Sequence, residues 1–203
     1  GVQTCALPIC YFMERFHEGN RKIRNTSLFC ILVSDAFITS IFYFSLATCF
    51  SDPGHCSDKG MTVMAWIKLN KTSLSNTTSS YIMSSGGQST KSRGFAVVYL
   101  ANKYIVILST KNKQWKLDTP VLPSGWFNLA FTWREAGQLK LYVNGTHVTS
   151  GNPALVSRPL DSFTTFDIGR PNNSEKPIYR FPLRISNLAL WQRELSLEDL
   201  KSG

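Results

Sequence analysis

The chain has 203 residues and 43% hydrophobic content, enough for one sizeable core and too little for two full domains. Lys and Arg number 22 against 13 Asp and Glu, a formal net charge of +9, while only 17% of residues are charged. So dilute an excess favours anionic partners, but it excludes the dense basic and aromatic surface of a nucleic-acid binder, and no nucleic acid is expected.

In chain order, Gly1 to Ile9 reads GVQTCALPI, which resembles a translated sequencing-library adapter, so residues 1–10 are set aside as non-native and Met13 becomes the first candidate initiator. Residues 11–48 are a basic stretch followed by apolar sequence. Arg21, Lys22 and Arg24 precede a run from Leu28 to Phe50, the layout of a signal peptide or a helical membrane anchor. Asp35 interrupts the run and would cost an anchor roughly 2.5 to 3.5 kcal/mol at a helix centre. Ser45-Leu46-Ala47 offers a small-x-small cleavage tripeptide. Misassembled sequence is a third reading, and all three stay open. The first two route the remainder to the cell surface or beyond, with membrane association through 28–50 if the run is an anchor. Of five cysteines, Cys5, Cys10 and Cys30 fall in these segments, which leaves Cys49 and Cys56 as a pair.

Residues 49–203 have a period of two nearly throughout, which predicts an all-β domain. Met61, Val63, Ala65, Ile67 and Leu69 alternate with Thr62, Met64, Trp66 and Lys68, so one face of this strand is buried. Phe95, Val97 and Tyr99 repeat the pattern, and Tyr104, Val106 and Leu108 follow the Ala101-Asn102 turn, which implies a hairpin. From Trp126, WFNLAFTW sets Phe127, Leu129, Phe131 and Trp133 on one face. After a turn at Glu135 to Gly137, Leu139, Leu141 and Val143 lead to Asn144-Gly145, a dipeptide suited to a type I′ turn and a returning strand from Thr146 to Val148. Ser196 to Lys201 reads as a helical turn capped by Ser196. Many short strands with Gly, Pro and Asn turns predict an antiparallel β-sandwich, or jelly roll.

Five segments, MTVMAWIKL at Met61, WFNLAFTW at Trp126, LYVNGTHV at Leu141, FDIGRPNN at Phe166 and LALWQRELSLEDL at Leu188, together resemble the laminin G-like domains of the concanavalin A-like superfamily, over about Cys49 to Gly203. The resemblance implies that sandwich, and CFSDPGHCSDKG resembles a short cysteine loop of some relatives, which implies a Cys49–Cys56 disulfide. There are two departures from the family. The apolar run occupies the place of a first strand, so a sheet is expected to lack an edge partner. Ser186-Asn187 stands where many relatives carry an acidic pair, which weakens an inherited calcium site.

Relatives that hydrolyse sugars carry paired carboxylates two or four residues apart on one strand, and this chain has no such pair: Glu135 lies in a turn, and Glu194, Glu198 and Asp199 lie in the terminal segment. No catalytic residue is assigned. His17, His55 and His147 lack metal-ligand spacing, no metal ligand is assigned, and no cofactor is expected; calcium at the rim stays open, with Asp161, Asp167 and Asn172 as donors of the right type. Trp66, Trp126, Trp133 and Trp191 read as core packing, whereas Trp115, among Lys111, Lys113 and Lys116, reads as exposed basic and aromatic surface. With Lys103 on the neighbouring strand, and Lys91 and Arg93 just before it, these residues are the expected anion-binding or glycan-binding face. Sequons occur at Asn25, Asn70, Asn76, Asn144 and Asn172, and the last four fall in expected turns or loops from which a glycan can project. The reading is an extracellular, non-catalytic recognition or adhesion module, part of a larger cell-surface or matrix protein, that binds glycans, including sulfated ones, or proteins. A calcium-dependent lectin or a truncated glycoside hydrolase of the same fold is the alternative.

Overall fold

A computed structural model describes residues 28–31, 41–43, 49–56, 58–69, 78–89, 92–122, 124–158, 165–172 and 183–202. Within the apolar run, for which a helical segment is one expectation, Leu28–Ile31 forms β1 and Ile41–Tyr43 forms β2, while Cys49 and Phe50 lie in a turn. A short 3-10 turn, Pro53–Cys56, follows, then β3 (Met61–Leu69), β4 (Ser80–Ser84), β5 (Gly94–Leu100), β6 (Lys103–Ser109), β7 (Lys113–Asp118), β8 (Phe127–Trp133) and β9 (Leu139–Val143). The remaining elements are β10 (Thr146–Gly151), β11 (Ala154–Leu155), β12 (Thr165–Ile168), β13 (Leu183–Trp191) and α1 (Leu197–Ser202). Among the described residues no helix is long and apolar enough to cross a membrane.

The strands form two antiparallel sheets, one of six strands in the order β1-β13-β3-β8-β9-β10 and one of seven in the order β11-β7-β6-β5-β4-β12-β2. The apolar run supplies one edge strand to each, β1 against β13 and β2 against β12. The expected missing partner is therefore present, because an unpaired strand edge leaves its peptide groups unsatisfied and the preceding chain is long enough to reach both sheets. Two turns have positive φ at both central residues, Ala101 (50°) with Asn102 (66°) and Asn144 (49°) with Gly145 (69°), which matches hairpin twist.

The inner faces meet in an aromatic core. Phe95 stands edge-on to Phe131 with centroids 5.4 Å apart, Tyr104 to Phe127 at 4.8 Å, and Trp115 to Trp133 at 5.3 Å. Gly60, at φ +76°, lies against the Trp133 carbonyl, where a β-carbon has no room. On β3 the expected inward set of Met61, Val63, Ala65, Ile67 and Leu69 is buried. Thr62 and Met64 on the opposite face are buried as well, because the C-terminal segment crosses that outer face. Leu195 and Leu200 pack with Met64, Ala130 and Tyr142 in a second apolar cluster. Thr62 Oγ1 donates to the Arg193 carbonyl (2.8 Å) and accepts from the Leu195 amide (2.9 Å). Ser196 and Asp199 cap α1 reciprocally, with the Asp199 amide donating to Ser196 Oγ at 3.1 Å and the Ser196 amide to Asp199 Oδ2 at 3.0 Å. Hydrogen bonds to the Asp199 carboxylate from the Ser196 amide and then the Ser196 side chain hold it below its usual range.

Candidate functional site

The cysteine loop sits at one rim of the sandwich. Cys49 and Cys56 are joined by a disulfide. Between them Asp52 organises the turn: Oδ1 accepts from the Gly54 amide at 3.0 Å, and the carbonyl accepts from the His55 amide at 3.0 Å. Asp52 Oδ2 pairs with Arg93 Nη1 at 2.7 Å, with both side chains largely buried. Arg93 Nε in turn donates to the Arg158 carbonyl at 3.2 Å, and the Arg158 amide donates to the Lys111 carbonyl at 2.8 Å. One ion pair thus ties three loops to the disulfide, so the geometry of this rim is set far from any single loop sequence.

The lysines do not gather around an exposed Trp115. Trp115 is 0% exposed and packs on Trp133, because alternation on β7 turns it and Leu117 inward while Gln114, Lys116 and Asp118 face out. This corrects its assignment to a surface site. Lys116 lies opposite Ile107 on the outer face of the seven-stranded sheet. Lys103 is exposed and pairs with Asp118 at 2.6 Å, Lys113 approaches Glu135 at 3.9 Å, and Lys111 is exposed in the β6–β7 turn. Lys91 lies outside the described residues.

The exposed indoles are on the opposite sheet. Trp66 is 39% and Trp126 40% exposed, although both were expected in the core, where only Trp133 of that group is fully buried; Trp191 is partly buried against the second cluster. The signal was in the alternation: Trp66 stands between the inward Ala65 and Ile67. Trp66 pairs with Asn128 on β8 and Ser186 on β13, and Lys68 pairs with Arg184. Ile67 pairs with Phe127 at the end of the ladder, and Trp126 directly precedes β8. The Asn128 amide donates to Asn144 Oδ1 at 2.8 Å, and the Asn144 amide donates to the Asn128 carbonyl at 2.9 Å. Asn187, at φ 50°, sits in the β-bulge of β13 between Ser186 and Ala189, a conformation Asn tolerates better than most residues.

Of the sequons, Asn144 is exposed at its turn, while Asn70 and Asn76 lie outside the described residues. Asn172 is 5% exposed, its Oδ1 accepts from Gln88 Nε2 at 3.2 Å, and its Nδ2 is shielded from solvent. Asn172, expected to project a glycan, instead packs against Gln88, and its carbonyl accepts from Thr165 Oγ1 on β12 at 2.8 Å. Asp167, the neighbouring candidate donor, is buried and pairs with Arg170 Nε at 2.8 Å. Burial raises its carboxyl above the usual range, against the opposing pull of Arg170 and Thr165. Asp161 lies outside the described residues. Among the described residues no three His, Cys, Asp or Glu side chains gather to hold a metal ion. Glu194 is engaged by Lys140 (2.8 Å) and Arg134 (3.6 Å).

Two face-to-face antiparallel sheets of this order, with a cysteine loop at the rim, define a laminin G-like sandwich. The chain belongs to the laminin G-like family of the concanavalin A-like lectin/glucanase superfamily, which matches residues 47–201. It is similar to adhesion G-protein coupled receptor D1 of Bos taurus, 34% identical over 116 residues, or 56% of this chain and 12% of that protein. The Homo sapiens receptor of the same name is 28% identical over 157 residues, 76% of this chain and 17% of that protein. The chain thus spans less than a fifth of the length of these relatives. Among solved structures, the binding domain of botulinum neurotoxin DC in complex with rat synaptotagmin II superposes with a TM-score of 0.57 at 13% identity, over 88% of this chain and 45% of that one, a likeness of fold.

Proposed function

We propose that this chain is an extracellular, non-catalytic recognition module of a larger cell-surface protein, and that its ligands are acidic glycans or acidic protein surfaces. The family match over residues 47–201 carries the reading. The receptor relatives support a cell-surface setting. Charge supports the ligand class. From Cys49 onward there are 18 Lys and Arg against 10 Asp and Glu, 18 − 10 = +8, so nearly all of the chain's +9 belongs to the domain. The carboxylates Glu135, Glu194 and Asp199 each face a cation, an arrangement of surface ion pairs rather than of an acid and a nucleophile across a sugar. Lys103, Lys111, Lys113 and Lys116, spread over one sheet and its rim, contribute a positive field that draws an anionic ligand in.

Heparin chromatography of the purified chain tests this. Retention should exceed that of an unrelated protein of equal net charge and fall steeply toward physiological salt, where screening shortens to about 8 Å. Elution with the control rejects the glycan half of the reading. Turnover of a β-glucan by the same material rejects the non-catalytic half.

A further inference from the structure

The sequence offers Asn144 and Asn172 as equal glycan acceptors: Asn144-Gly145-Thr146 and Asn172-Asn173-Ser174 each place a hydroxyl residue two positions on, with no proline between. The fold does not treat them alike. Asn144 is the first central residue of the tight turn between β9 and β10, exposed, at φ 49° beside Gly145 at 69°. Its side chain meets β8 through Oδ1, which accepts from the Asn128 amide at 2.8 Å, while its own main-chain amide donates to the Asn128 carbonyl at 2.9 Å. Thr146, which supplies the hydroxyl, is exposed at the start of β10. The Lys201 side chain, which lies against Gly145, is exposed and long enough to move aside. Asn172 is the reverse. It is buried, its Oδ1 accepts from Gln88 Nε2 at 3.2 Å, its Nδ2 is shielded from solvent, and its carbonyl accepts from Thr165 Oγ1 at 2.8 Å. Gln88 is itself held by Ser84, whose Oγ donates to Gln88 Oε1 at 3.0 Å, so Asn172 ties β12 to the chain leaving β4.

We propose that Asn144 carries an N-linked glycan and that Asn172 stays unmodified in the folded protein. The site rests on the extracellular setting proposed above, because the sugar donor, a lipid-pyrophosphate-linked oligosaccharide, is met on export. In the transfer Asn144 Nδ2 attacks the anomeric carbon of the donor. The C–N bond forms, the C–O bond to the pyrophosphate breaks, the lipid pyrophosphate departs, and one of the two Nδ2 protons is lost to solvent. The transfer acts on extended chain, before either acceptor has folded, so the fold decides which product it can hold. At Asn144 the product keeps what the turn needs. The modified amide still presents Oδ1 to the Asn128 amide, the main-chain bond to the Asn128 carbonyl is untouched, and the sugar leaves from an exposed hairpin tip. At Asn172 a sugar on Nδ2 has to stand where protein now packs. The side chain would have to abandon Gln88, leave buried polar groups without partners and open the contact between β12 and the chain after β4.

The test is peptide mass spectrometry on the full chain secreted from mammalian cells behind a cleavable leader, after enzymatic glycan release in heavy-oxygen water, which turns each formerly glycosylated Asn into a labelled Asp. The Asn144 peptide should carry the label and the Asn172 peptide should not. Thr146→Ala should lose a single glycan on a denaturing gel and Thr146→Ser should keep it, with Asn144 and its two bonds to Asn128 present in both. The deglycosylated protein should still unfold cooperatively, because the Asp left at that position accepts from the Asn128 amide as Asn144 does. An unlabelled Asn144 in secreted protein overturns the site, and if Asn70 or Asn76 is labelled in the same material the extracellular setting still stands. Label at Asn172 in protein that unfolds cooperatively overturns the exclusion. If fractionation finds the natural protein confined to the cytosol, the setting and the site fall together.

Discussion

Truncating Trp115 separates a core role from a surface role more sharply than any other single change. Trp115 is fully buried and edge-on to Trp133 across the sandwich, with centroids 5.3 Å apart and rings at 80°. Trp115→Ala removes the ring contact and leaves a cavity bounded by two sheets that cannot collapse independently, a cost of about 3 to 5 kcal/mol. For a domain of this size each kcal/mol moves the midpoint by about 2 to 4 °C, so the melting temperature should fall by roughly 6 to 20 °C. Trp115→Phe should cost less, because the indole N–H is buried without an acceptor and its removal relieves a desolvated donor. Trp66→Ala, at 39% exposure, should lose less, about 2 kcal/mol, because only the buried part of the side chain counts. Thermal denaturation followed by circular dichroism reads all three. A Trp115→Ala midpoint within about 2 °C of wild type, or equal to that of Trp66→Ala, would refute the placement of Trp115 in the core.

Replacing Cys49 and Cys56 together by Ser should destabilise the domain by about 2.5 kcal/mol, the chain-entropy value for so short a loop; non-reduced peptide mass spectrometry of the wild type should find the two cysteines linked, and free thiols at both positions would contradict the bridge. The Asp167 carboxyl is raised above 3.8, chiefly by burial, so it stabilises the fold fully below that value and loses this contribution as pH climbs through its folded pKa. Asp167→Asn, which does not titrate, should therefore gain melting temperature relative to wild type between about pH 3 and pH 7, and a difference that shrinks with rising pH would show that the ion pair with Arg170 outweighs desolvation.

Strand positions, hairpin turns and the capped terminal helix were legible because each is written locally. Period-two alternation from Met61 to Leu69, Asn144-Gly145 at a turn that needs positive φ, and Ser196 three residues before Asp199 all act over a few residues of chain. The family resemblance was likewise carried by contiguous segments. Which side of a strand is covered is not local. Lys111, Lys113 and Lys116 marked the polar neighbourhood of β7 but could not reveal that the Trp115 ring between them meets Trp133 of the other sheet. Trp66 looked like core by residue type, yet it is 39% exposed, while Thr62 and Met64, four and two residues earlier on the same face, are buried because the C-terminal segment arrives there. The apolar run beginning at Leu28 has the hydropathy of a targeting or anchoring segment, and hydropathy alone says nothing of the pairing its described parts make with β13 and β12. Asn172 carried a sequon signal that its burial against Gln88 overrides. The deciding contacts run from Trp115 with Trp133, 133 − 115 = 18 positions apart, to Leu28 with Trp191, 191 − 28 = 163 apart, so burial was settled by packing rather than by pattern.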